Sequence, residues 1–334
     1  MVHATRPFDV LFLTNFSDSC FRAIPALAQM CDEFDLRLTF LHTYRESRNG
    51  MGDLESNLRS FFPEADAYGG CRRVLLPGTP LDGVRQIRSE ATVDLVVAPA
   101  GDPLGLPRVG HRSLRSQLMS SDGTPMWTIA TGTLTRRLLR PARTVACCLE
   151  VGRSGRGHLK LACQYARALR ASLHVIQILP DIHEGNLLLL ATADPFDADC
   201  AAAEVYRVAG GDAPEPGVHV TDRPGLADLL TRCEVDVVFL DAACWMHRSW
   251  LAPRMNRLAE GLPCPAVYVN ADREDVKWQL TRNPSRHVAG EAALLPPLQR
   301  APVRVRSAGG QRISAVVPEW QGRADDAPRP GVQG

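Results

Sequence analysis

The chain has no excess of either charge: 38 Lys and Arg stand against 37 Asp and Glu, a formal net charge of +1. A dedicated nucleic-acid binder needs a clear basic surplus to meet phosphates, so that class is set aside. Long apolar runs are missing too, with nothing near the ~18 residues that cross a bilayer, and membrane insertion is not expected. Met1 to Asp9 show no charged leader followed by a long apolar core, so a cytoplasmic location is the expectation. Ten cysteines are present without a CxxC pair, and the histidines, including His183 beside Glu184, show no ligand spacing. No metal site is therefore expected. Cys20, Cys31 and Cys163 fall at apolar helix positions, and Cys147 and Cys148 sit together mid-strand, facing opposite ways. All five read as buried, reduced thiols. No Ser/His/Asp or Cys/His constellation can be assembled, so no catalytic residue is named.

What is present is alternation. Asp9-Val-Leu-Phe-Leu-Thr14 is a short apolar strand, followed by Phe21, Ile24, Leu27, Ala28 and Cys31 at helical spacing, with Pro25 expected in the first turns. Strand signals recur at Leu36 to His42, Val74 to Leu76, Val93 to Val97 and Met126 to Ile129. Helical spacing lies between them at Leu54, Leu58 and Phe61, at Leu81, Val84 and Ile87, and from Ser113 to Ser120. Such alternation predicts a parallel sheet with helices on both faces.

The pattern then restarts. An offset of 135 residues superposes Asn15 on Glu150, Ser17 on Gly152 and His42 on Gln177. Later, Val235 to Phe239 echoes Val93 to Val97, and Pro265 to Val269 echoes Pro125 to Ile129. The expected organisation is a first domain over 8–130, a basic linker over 131–143 with Arg136, Arg137, Arg140 and Arg143, and a second domain over 144–270. A mostly disordered tail follows over 271–334, with Ile313 to Val317 as a short candidate strand. Within the second domain, Asp181 to Gly217 is poorly patterned, and its second helix is expected to be displaced or partly melted.

The ordered set Leu13-Thr-Asn-Phe-Ser17, Phe40-Leu-His42-Thr43, Val93-Asp94-Leu-Val-Val97 and Thr124-Pro125-Met126-Trp127 resembles the universal stress protein family. So does its recurrence as Leu149-Glu150-Val-Gly152, Val235-Asp236-Val-Val238 and Pro263-Cys264-Pro265-Ala266-Val267. The resemblance implies two doubly wound five-stranded parallel sheets, each ordered 3-2-1-4-5. It also implies pairing of the two copies through their last strands as an intramolecular pseudo-dimer, with a homodimer as a further option.

The ATP-binding branch of that family carries Gly-x2-Gly-x9-Gly-Ser/Thr after the fourth strand, where glycines admit backbone amides to phosphates. In the first copy those glycine positions fall on Pro99, Asp102 and Arg112, and the hydroxyl survives as Ser113. The family's purine-contacting Asp corresponds to Asn15, and to Glu150 in the second copy, whose loop Asp241 to Trp250 has no glycine. Pro99 removes a donor and Asp102 places a negative charge where phosphate would lie. No cofactor is expected, and weak ATP or AMP binding in the first copy is the alternative. Ser113 reads either as an ordinary N-cap or, with His111 and Arg112, as a small-anion site. Arg108, His111, Arg112 and Arg115 form a basic cluster that is either solvated surface or an anion or partner contact. Trp245 and Trp250 either cover the crevice, contact a partner or tuck over an apolar edge. The resulting expectation is a non-catalytic stress-response or regulatory protein that binds a protein partner or a small ligand.

Overall fold

A computed structural model of the chain describes residues 6–44, 51–68, 70–99, 114–115, 117–118, 123–129, 142–151, 155–179, 198–210, 215–245, 261–273, 275–276, 278, 280–282, 299–306 and 312–319. The chain divides into a large unit, Met1–Asn283, and a smaller one, Pro284–Gly334.

The first half of the large unit runs β1 (Phe8–Leu13), α1 (Asp18–Glu33), β2 (Leu36–Tyr44), α2 (Met51–Ser60), β3 (Arg72–Pro77), α3 (Pro80–Glu90), β4 (Leu95–Val97) and β5 (Met126–Thr128). The second half runs β6 (Thr144–Glu150), α4 (Gly157–Leu169), β7 (Ser172–Leu179), α5 (Ala198–Ala209), β8 (Pro216–Asp222), α6 (Leu226–Arg232), β9 (Val237–Asp241), α7 (Ala242–Trp245) and β10 (Ala266–Val269). The sheet order is β3-β2-β1-β4-β5-β10-β9-β6-β7-β8, so each half follows 3-2-1-4-5 from its own first strand. All pairings are parallel except that of β5 with β10, where Thr128 faces Ala266 and Met126 faces Tyr268. The two expected sheets are thus one ten-stranded sheet, sealed at its middle by the last strand of each half.

Strand side chains alternate between faces, and the two faces collect separate cores. Phe8, Val10 and Phe12 of β1 join the layer under α1 and α4, while Leu11 and Leu13 join the layer under α3 and α6. Cys147 lies in the first core and Cys148 in the second, as their adjacency requires. Burial raises both thiols well above their ordinary value, which makes them inert packing atoms. Cys20, Cys31 and Cys163 are buried in the first core as well.

The recurring Val-Asp before the fourth strand of each half has a structural role. Asp94 Oδ2 accepts from the Asp9 amide at 2.9 Å, and the Asp94 amide donates to the Asp9 carbonyl at 2.9 Å. In the second half, Asp236 Oδ2 accepts from the Arg143 and Thr144 amides at 2.8 and 3.1 Å, and its own amide donates to the Thr144 carbonyl at 2.8 Å. Each carboxylate staples the base of the fourth strand to the base of the first. In the first half the staple is doubled by Arg6 and Arg37, which bridge to Asp94 and Asp9.

Three expectations need correction. Pro25 lies inside α1, well past its first turns, where it is half-buried and withholds one helical hydrogen bond. Of the stretch from 181 to 217, residues 181–197 and 211–214 lie outside the described residues, but the described part holds a formed helix, α5, which buries Ala201 and Val205, one turn apart, against α4 and β8. The third correction concerns the end of the second domain, since the chain keeps packing beyond residue 270. Trp278 is buried, its ring 5.3 Å from Phe8 of the first half and 5.9 Å from Phe239 of the second. Its amide donates to Gln164 Oε1 at 2.9 Å, and Arg282 bridges to Phe34. The described residues between 271 and 282 therefore strap the second half to the first.

The smaller unit holds an antiparallel hairpin, β11 (Gln299–Arg306) with β12 (Arg312–Glu319), which contains Ile313 to Val317 and forms its own two-stranded sheet. The alternation Ile313, Ala315, Val317 opposite Val305, Val303 and Ala301 is the two-residue period that a ladder selects.

Candidate functional site

Doubly wound sheets place ligands at the carboxyl tips of their strands, beside the point where strand order reverses. In the first half that point lies between β1 and β4. Asn15 stands at the β1 tip, but its Oδ1 already accepts from the Ser17 amide and the Cys20 thiol, both at 3.1 Å. This local turn leads into α1, so the Asn15 carbonyl is committed to its own loop. Phe16 follows in the left-handed region at φ 58°, which swings its ring onto His42 at 4.4 Å between centroids.

His42 ends a buried stretch of β2, and its Nδ1 lies 2.8 Å from the Thr14 carbonyl. Because a carbonyl only accepts, Nδ1 carries the proton. Burial pushes the His42 pKa below 6.5, so the ring is neutral at pH 7 and ties the β1 tip to β2. Pro99 lies half-buried two residues beyond β4, at the β4 tip. Asp102, Arg108, His111, Arg112, Ser113 and Trp250 lie outside the described residues. Arg115, next to that segment, donates to Thr128 Oγ1 at 3.3 Å.

The second half differs in kind. Glu150 at the β6 tip pairs with Arg223 from the turn after β8 at 3.2 Å; their side chains are 7% and 15% exposed. Asp241 ends β9 in the place corresponding to Pro99. Its carboxylate is buried, with Oδ1 accepting from the Ala243 and Ala271 amides at 3.1 and 3.3 Å and Oδ2 from the Cys244 thiol at 3.2 Å. Trp245 is 1% exposed and packs in the second core, so it does not offer a surface to a partner.

The amino end of α4, the helix that follows β6, is met by protein. The Gly157 amide donates to the Ala271 carbonyl at 2.8 Å. A Cβ on Gly157 would sit 2.7 Å from the Arg273 carbonyl oxygen, and one on Gly155 would sit 2.6 Å from the Ala271 carbonyl carbon. Only glycine allows the strap to cross here.

One cluster escaped the sequence reading. His174 of β7, His219 of β8 and Cys233 just after α6 bring three donor atoms within 4.8 Å of one another. They lie 45 and 14 residues apart in sequence, outside any short ligand spacing. Only the strand register brings them together.

No family model and no curated protein sequence matches the chain. Among solved structures, a universal stress protein from Archaeoglobus fulgidus aligns with TM-score 0.53 at 12% identity, over 79% of this chain and 98% of that one. The fold is that of a universal stress protein. A functionally unknown protein from Pseudomonas aeruginosa matches over 80% of this chain and 93% of its own at 12% identity and TM-score 0.48. A universal stress protein in complex with cAMP matches over 37% of this chain and 98% of its own at 22% identity and TM-score 0.30. The universal stress protein fold accounts for the 3-2-1-4-5 order in each half. Among the described helices none is long and apolar enough to cross a membrane.

Proposed function

We propose that the chain is a non-catalytic regulatory protein of the universal stress type, working in the cytoplasm by binding a protein partner or a small ligand other than a nucleoside triphosphate. The observation that carries this reading is the second crevice. Two carboxylates, Glu150 and Asp241, occupy its strand tips, one held by Arg223 and the other by backbone amides. A triphosphate brought there would meet buried negative charge. In the first half, Asn15 is spent on its own turn and Pro99 offers no amide, which supports the same reading.

The competing reading, weak adenine-nucleotide binding in the first half with slow hydrolysis, is decided by a thermal-shift titration with ATP, ADP and AMP, with and without Mg²⁺. A ligand at 100 times its dissociation constant stabilises by about 2.7 kcal/mol, an easily seen shift. A flat response at millimolar nucleotide is the expected result. A saturable shift abolished by a bulky replacement of Ser113 would sink the proposal.

A further inference from the structure

We propose that His174, His219 and Cys233 form a site for a single Zn²⁺ ion on the outer part of the second half-sheet, away from both strand-tip crevices. β7 and β8 are parallel, with His174 opposite Gly217 and Ile176 opposite His219. His174 and His219 are therefore diagonal neighbours on one face, and their rings stack at 5.1 Å with planes 15° apart. Nδ1 of His174 lies 2.8 Å from Nε2 of His219, and the Cys233 sulfur lies 3.7 Å from that same Nε2. In a tetrahedral zinc site, Zn–N near 2.0 Å and Zn–S near 2.3 Å put donor atoms about 3.3–3.5 Å apart. The two separations to His219 bracket that value, and all three donor atoms lie within 4.8 Å of one another, so binding would draw His174 and Cys233 closer together.

Two nitrogens and one sulfur suit zinc, a borderline-soft ion, and suit calcium or magnesium poorly. All three residues are half-buried, which leaves the fourth position for water or an incoming ligand.

The surroundings favour donors over protonated bases. Burial depresses both imidazoles below 6.5, helped by their mutual repulsion at His174 and by Arg232 at His219, so both are neutral at pH 7. Burial raises the Cys233 thiol, and Arg232 beside it works in the other direction. Binding deprotonates that thiol and releases one proton to solvent; no electron is transferred. Gly217 makes room for the arrangement: a Cβ there would lie 2.9 Å from His174 Nδ1. The bare backbone of β8 thus lets the imidazole lie flat toward His219. In the metal-free protein His174 and the Cys233 thiol both meet His219 Nε2, at 2.8 and 3.7 Å, so one nitrogen is the focus of both neighbours.

The test is a Co²⁺ titration of the full chain, free of any polyhistidine tag, stripped with chelator and kept reduced. One equivalent should produce a sulfur-to-cobalt charge-transfer band and the intense visible bands of tetrahedral cobalt, both erased by Zn²⁺. His219→Ala and Cys233→Ser should weaken binding more than about tenfold, the least that losing even a supporting outer partner costs. Cys200→Ser, at an exposed thiol on α5, should leave the bands intact. Gly217→Ala keeps all three donors but crowds His174, and should weaken binding while far-UV circular dichroism stays unchanged. Should a ligand variant fail to fold, Zn²⁺-dependent shifts of two histidine ring signals in the unaltered protein serve in its place. Absence of the bands at one equivalent, bands that survive both ligand replacements, or histidine signals that ignore Zn²⁺ would overturn the site.

Discussion

The indole of Trp278 donates its Nε1–H to the main-chain carbonyl of Asp94 at 3.2 Å, across 184 residues of sequence. Asp94 staples the base of β4 to β1, and Trp278 also meets Phe8, Tyr165 and Phe239. One side chain thus reaches the base of the first half and the helical layer of the second.

Trp278→Ala should therefore cost about 3–5 kcal/mol, the usual penalty for emptying a buried tryptophan site. Urea unfolding would read it as a lower midpoint. A loss under 1 kcal/mol would mean that the strap carries little of the stability.

Gly157→Ala is small chemically but meets backbone on two sides, at 2.7 Å from the Arg273 oxygen and 3.0 Å from the Ala271 oxygen. Overpacking of this kind costs about 1–3 kcal/mol, although alanine is the better helix former. A neutral or stabilising outcome in thermal denaturation would show that residues 271–273 yield easily.

Glu150 and Arg223 make an ion pair whose side chains are largely shielded from solvent. Arg223→Met should destabilise by about 3 kcal/mol, because a shielded carboxylate loses its cation. Adding Glu150→Gln should recover part of that loss. Equal stability of the single and double variants would contradict a coupled pair.

His42 predicts a pH dependence whose sign follows from its depressed pKa. The unfolded chain takes up a proton near 6.5 while the folded chain resists it, so the unfolded state binds more protons below that value. Stability contributed by the neutral ring is full above 6.5 and is lost as pH falls from 6.5 through the depressed folded value. His42→Gln should flatten the fall in urea midpoint between pH 7 and 5 relative to the unaltered protein. An unchanged slope would place the titration elsewhere.

Much of the fold was legible because it rests on local signals. Two-residue and 3.6-residue periods located β1, β2, α1 and α3, and the recurrence of Val-Asp at Asp94 and Asp236 marked corresponding strands in both halves. What that Asp does was not legible, because its partners, Asp9 and Thr144, lie some ninety residues away. β8 was missed because Pro216, Gly217 and its half-polar pattern disguise an edge strand. The metal cluster and the Trp278 strap share that cause, since each depends on register between distant segments. Among the nucleotide-motif residues, Asn15 and Glu150 do stand at strand tips, but their hydrogen-bond partners Ser17, Cys20 and Arg223 decide what those tips can do.

The antiparallel seam between β5 and β10 reverses one half against the other. The strand tips of the two halves therefore open at opposite ends of the sheet. No small molecule can touch Asn15 and Glu150 at once, and a macromolecule engaging both would have to wrap the long dimension of the slab. Two different visitors, one at each pole, could be held together without meeting.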